Sequence, residues 1–178
     1  MRIVPLLLAA AAALPAVWPS EVAAAPFVQV GVGAIVVRHN TALVPEGATA
    51  RAFTASATGT LTTLSVRGLL PRHEYGAHVH TKPCGAAPTD SGPHYQHVPD
   101  PAQPSTDPAY ANPRNEIWLD FTTSPDGSGF AVSHVDWTYG DRRPGSVVIH
   151  ETHTHTDPGH AGTAGGRLAC LNLDFGPR

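Results

Sequence analysis

Beyond its first two dozen residues, this chain nowhere sustains an apolar stripe at helical spacing, which points away from packed helices. Its apolar residues come in short runs separated by polar turns. Val and Ile interleave with Gly in 27–37. Leu61, Leu64 and Val66 lie among Thr and Ser, and 75–80 ends in His-Val-His. Trp118, Leu119 and Phe121 fall in 117–122. Residues 130–137 alternate after the Asp126-Gly127 turn, 146–150 is a compact apolar run, and Leu171, Leu173 and Phe175 alternate with Asn172 and Asp174. Abundant Pro and Gly, 18 and 17 residues, suit short strands joined by loops. The pattern predicts an all-β sandwich or barrel. Two segments fit no strand: 81–115, rich in Pro, Asp, His and Ser, and 151–166, rich in His, Thr and Gly. Loops this long in a compact domain are usually functional.

The start of the chain reads differently. Met1 and Arg2 precede an apolar run over 3–17, and Val22 and Ala24 stand at the small-residue positions of a cut before Ala25. That is the layout of a secretory signal peptide, and the run is short for a membrane span. The expected organisation is therefore a leader at 1–24 and one domain at 25–178, with no membrane span in the mature chain. The net charge of −3, without a basic stretch, gives no footprint for nucleic acid. Cys84 and Cys170 are the two cysteines. In an oxidising compartment they most simply form one disulfide; a thiolate metal site is the alternative, disfavoured by the absence of CxxC spacing.

Eleven histidines is a high number, and they are clustered. His78 and His80 flank Val79, and residues two apart on a strand project from one face. Both imidazoles can then grip one metal ion while Val79 points into the core. His94 and His97 follow in the first loop, His150 ends the 146–150 run, and His153, His155 and His160 lie beyond it. Imidazole suits copper and zinc. A His-x-His pair alone is weak, because exposed strand pairs are common.

The wider pattern is stronger. His78-Val79-His80, Gly92-Pro93-His94-Tyr95, Val147-Val148-Ile149-His150-Glu151 and Ala164-Gly165-Gly166-Arg167-Leu168-Ala169-Cys170 occur in this order. Together they resemble the metal-binding strand, bridging-histidine loop, Val-Val-His-Glu segment and arginine motif of the copper/zinc superoxide dismutases. The resemblance spans about 60–173. It implies an eight-stranded Greek-key β-barrel or sandwich with two long functional loops. It implies His78, His80, His94 and His150 as copper ligands, with His94 also taking up a proton during turnover. Arg167 is implied as the catalytic arginine that holds the superoxide substrate, and Cys84–Cys170 as the disulfide. The activity implied is antioxidant conversion of superoxide to dioxygen and hydrogen peroxide outside the cytoplasm, by a monomer or homodimer.

The zinc half departs from the family. Residues 98–115 hold no histidine, and Arg114-Asn115-Glu116-Ile117 stands where the family has His-Val-Gly-Asp. His94 is thus the one matched zinc ligand, with His97, Asp100 and Glu116 as candidates. Zinc is either absent, held by a rearranged set, or held by His153, His155 and His160 from the second loop; a solvated loop is the plainer reading of those three. His39, His73 and His134 read as unassigned or surface residues. Two rival functions remain. A secreted copper carrier without turnover has no need of Arg167 beside the last cysteine, and an inactive structural domain has no need of four copper ligands.

Overall fold

The computed structural model describes residues 23–26, 28–29 and 36–173, with side chains from 37 onward. The expected leader lies outside them apart from Ala23 and Ala24, as does Phe175. Among the described residues the chain is almost wholly β, with one short 3-10 turn at Pro88–Ser91 and no helix long and apolar enough to cross a membrane.

The described residues form ten strands in two sheets. The first runs in the order β1 (Ala23–Pro26), β4 (Thr49–Ser56), β5 (Thr60–Arg67), β8 (Gly129–Val135), all antiparallel. The second runs β2 (Val28–Gln29), β3 (Val36–Arg38), β10 (Arg167–Asn172), β9 (Ser146–His150), β6 (Glu74–His80), β7 (Phe121–Thr122). The chain crosses between sheets from β5 to β6 and from β8 to β9, so β5 pairs with β8 and β6 with β9. This is the Greek-key arrangement of a β-sandwich.

In the first sheet, β4, β5 and β8 bury one face only, and their residues alternate. Along β5, Leu64 and Val66 are buried while Leu61 is exposed; along β4, Ala50, Ala52 and Thr54 point inward. The second sheet is buried on both faces at its centre. Ala77, Val79, Val147 and Ile149 meet Leu64, Ile117, Leu119 and Leu171 in the core. Each of the Val, Leu and Ile side chains among them contributes roughly 1.5–3 kcal/mol by leaving water. The opposite face of β6 and β9 carries His78, His80, Val148 and His150, and it is covered by loops instead of by the other sheet. The 81–115 and 151–166 segments do this covering; they hold no strand, as their composition predicts.

The expected strand at 117–122 shrinks to Phe121–Thr122. Trp118 makes only an isolated bridge to His78. Ile117 and Leu119 bury themselves in the core, and their backbones instead bond Val79 N–H and the Ala77 carbonyl. The last strand starts earlier than its alternation suggests, at Arg167, with a bulge between Arg167 and Ala169.

Candidate metal centre

Period-two geometry on β6 puts His78 and His80 on one face, and the β6–β9 register sets His78 opposite Val148 and Gly76 opposite His150. Gly76 has a reason to be glycine. A Cβ there would stand 2.5 Å from the Thr152 carbonyl oxygen and 2.8 Å from Ala164 Cβ. The bare backbone lets the 151–166 loop lie down over β6, beside His150. From the other side, a bridge between His80 and His94 brings the first loop onto the same strand.

The four histidines His78, His80, His94 and His150 converge, each offering one ring nitrogen, and these atoms all lie within 4.8 Å of one another. No other group of three or more His, Cys, Asp or Glu side chains comes together in this way among the described residues. His78 and His80 are fully buried and His150 nearly so. Burial, reinforced by the neighbouring His94 and by Arg167, holds His78 and His80 well below the ordinary imidazole range. The same causes hold His150 at about 3. These three rings are therefore neutral near pH 7, with lone pairs to offer.

For His78, His80 and His94, outer hydrogen bonds decide which nitrogen the ring offers. His80 Nδ1 donates to the Gly92 carbonyl at 2.9 Å, leaving Nε2 as the lone-pair atom, 3.3 Å from His150 Nε2. His94 Nδ1 donates to Glu116 Oε2 at 2.8 Å. His78 Nε2 is bonded to Thr154 Oγ1 at 2.7 Å, and its Nδ1 is a buried atom with no hydrogen-bond partner in the protein. A buried polar atom without a partner is costly, and a bound cation removes that cost. The donor set of four imidazoles and the unpaired His78 Nδ1 both fit a transition-metal ion of the copper or zinc kind.

The zinc candidates do not join the cluster. Along 94–97 the side chains alternate, because His94 and Gln96 both bridge to facing segments. His94 and Gln96 face the site, whereas Tyr95 and His97 face away. The exposed His97 ring stacks on Trp137, with centroids 4.9 Å apart. Asp100 accepts the Ala102 amide and the Ser105 hydroxyl and so organises its own loop. Glu116 does reach His94, as a hydrogen-bond acceptor. It is buried and takes bonds from His94 Nδ1, Gln96 Nε2 at 2.8 Å and Trp118 Nε1 at 2.7 Å. His153, His155 and His160 lie on the loop away from the four rings. His153 touches Thr122 and His155 faces Asp157. His73 bonds the Glu151 carbonyl, His134 is exposed beside Asp136, and half-buried His39 lies near Asp90 and Arg167.

Arg167 pairs with His150 across β9 and β10, just before the bulge. Its Nη1 bonds the Pro88 carbonyl at 3.0 Å and Ser91 Oγ at 2.9 Å, both in the 3-10 turn. That turn is tethered by the Cys84–Cys170 disulfide, which the structure contains. His94, His150 and Arg167 all line one open cavity of about 510 Å³, walled by Pro93, Gln103 and Gly162–Gly165.

No protein-family model matches the sequence, and a search of curated proteins finds no match. Solved structures do match. A Cu/Zn superoxide dismutase from Brucella abortus superposes with a TM-score of 0.57 at 15% identity, covering 86% of this chain and 100% of that one. The chain has the Cu/Zn superoxide dismutase fold. Two mutants of a SOD-like protein from Bacillus subtilis agree, with TM-scores of 0.54 and 0.52 at 16% and 17% identity. They cover 70% and 68% of this chain and 88% and 87% of theirs. Gln96, Trp118 and Thr154 escaped the sequence reading. Each acts through hydrogen bonds to Glu116, or to His78 and Asp120, for which the sequence carries no spacing signal.

Proposed function

We propose that the chain is a copper-dependent superoxide dismutase that works without zinc, in an oxidising compartment outside the cytoplasm. The observation that carries this reading is the pairing of a four-imidazole cluster with Arg167 at one cavity. A carrier needs the first and has no use for the second.

Copper bound by His78, His80, His94 and His150 supplies the one-electron chemistry by which two superoxide anions and two protons become dioxygen and hydrogen peroxide. The protein's part is to bind, orient and exclude. His80 is locked by the Gly92 carbonyl and His94 by Glu116, so both rings keep their Nε2 lone pairs aimed inward. Arg167, held by Pro88 and Ser91, offers the fixed positive charge that draws a small anion into the cavity. The open cavity gives solvent protons access. With its Nδ1–H engaged by Glu116, His94 serves as a ligand to one metal only. The disulfide fits an oxidising compartment.

Elemental analysis beside superoxide consumption tests this, after loading with copper alone and with copper plus zinc. One copper, no zinc and full activity is the expected result. A stoichiometric zinc that raises activity would refute the zinc-free reading, and tight copper binding without superoxide consumption would make the chain a carrier.

A further inference from the structure

His78 is the one cluster ring whose outer nitrogen is held by a side-chain hydroxyl. Its Nε2 lies 2.7 Å from Thr154 Oγ1, and that oxygen lies 2.8 Å from Asp120 Oδ1. Asp120 is anchored in turn: Oδ2 accepts the Thr154 amide at 2.8 Å and Oδ1 the Ala77 amide at 3.1 Å. His78 Nε2 is 3.9 Å from Asp120 Oδ1, beyond hydrogen-bond reach, so the hydroxyl is the necessary link.

Proton directions follow from the far end. A carboxylate only accepts, so the single Thr154 hydroxyl proton goes to Asp120. Thr154 Oγ1 then has only lone pairs to turn toward His78, and His78 Nε2 must carry the proton and donate it. Nδ1 is left with the lone pair; it is buried and finds no hydrogen-bond partner in the protein, as is also true of His150 Nδ1. The other three rings turn a different nitrogen inward wherever a bond fixes it: His80 and His94 both donate from Nδ1.

We propose that Thr154, backed by Asp120, is a positioning residue that fixes the His78 tautomer and thereby ties the 151–166 loop to the metal centre. The same loop supplies the Gly162–Gly165 wall of the cavity. Loop order and metal retention are then one property: a loop that lifts frees His78 Nε2 and lets the ring turn its lone pair away. The inference rests on the proposed function only for the identity of the metal.

The tautomer can be read without any metal. Long-range proton–nitrogen spectra of the metal-free wild type and of Thr154→Ser are expected to show His78 protonated at Nε2, and Thr154→Val to lose that pattern. After copper(II) loading, Thr154→Val should surrender the ion to a chelator about 10-fold faster than wild type, with Thr154→Ser close to wild type. Asp120→Asn, which sets an amide NH2 against one of the two Thr154 donors, should shift the same His78 signals and serves if the valine variant does not fold. A wild-type His78 protonated at Nδ1 would overturn the proposal, as would a valine variant with unchanged tautomer and unchanged copper loss. A wild type that takes up no copper would sink the proposed function, while the metal-free spectra would still decide this one.

Discussion

Glu116 Oε2 stands 2.8 Å from His94 Nδ1, and the same carboxylate gathers the side-chain N–H donors of Gln96 and Trp118. A buried carboxylate satisfied by three donors needs no metal to be stable there. It also occupies the nitrogen that His94 would need to bridge to a second ion.

Removing that carboxylate should therefore be felt even in the metal-free chain. Glu116→Ala strands His94 Nδ1, Gln96 Nε2 and Trp118 Nε1, and an unsatisfied buried donor costs about 1–3 kcal/mol. The variant is expected to unfold at a clearly lower urea concentration, with Glu116→Gln falling in between. An alanine variant as stable as wild type would mean that water satisfies all three donors and that Glu116 fixes nothing.

Arg167 should act through charge. Its guanidinium is half-buried, and although burial lowers its pKa, it remains ionised near neutrality. Arg167→Ala is expected to lower the second-order rate of superoxide consumption about 10-fold at low ionic strength, with the gap narrowing as salt screens the field. Arg167→Glu should be slower still. Rapid-mixing kinetics across a salt series checks this, and a rate unchanged at low salt would remove Arg167 from the role.

The buried imidazoles give the metal-free protein a pH dependence of defined sign. His150 is held at about 3, against an ordinary value of 6.5, chiefly by burial, and His78 and His80 are shifted in the same direction. Between those two values the unfolded chain binds more protons than the folded one, so stability rises with pH across the window. Below it the folded His150 ring protonates as well, and its contribution to the pH dependence levels off. The urea midpoint of the metal-free chain should thus be flat above neutrality and fall steadily as pH drops from 6.5 toward 3. A midpoint that stays level through that window would mean that these rings are not buried without the metal.

Much of this was legible in the residues. The alternation of Leu64 and Val66 among Thr and Ser marks β5, and the His-Val-His of β6 announces two rings on one face. Strand β4 was not legible, because Thr-Ala-Arg-Ala-Phe-Thr-Ala-Ser alternates small residues, and the burial of Ala50 and Ala52 comes from the core that the strand faces once it is paired between β1 and β5. His97 looked like a ligand because it is near His94 in sequence. Two bridges, His80 to His94 and Gln96 to Glu116, set the parity of that segment and turn His97 outward onto Trp137. The Glu116 position was legible as an anomaly in the zinc motif. Its role as an acceptor needed the fold, since two of its donors, His94 and Gln96, come from a facing segment and join Trp118 from its own.

Gly76 offers the sharpest test of the loop that covers the site. It pairs with His150 across β6 and β9, and the 151–166 loop rests on its bare Cα. In Gly76→Ala the new methyl would lie 2.5 Å from the Thr152 carbonyl oxygen and 2.8 Å from Ala164 Cβ, so the loop backbone must rise. Overpacking of this kind costs roughly 1–3 kcal/mol. The loop carries Thr154 two residues beyond Thr152, and Arg167 follows three residues after Ala164. The displacement should therefore disturb His78 and the mouth of the cavity together, while Leu64, Ile149 and the rest of the core stay packed. Hydrogen exchange is expected to show faster exchange at the amides of Thr152, Thr154 and His155, with β4 and β5 unchanged, and copper should be held more weakly than in wild type. Wild-type exchange across 151–166 in a folded Gly76→Ala variant would show that the loop is held by its other contacts, and that the missing side chain at 76 is not what seats it.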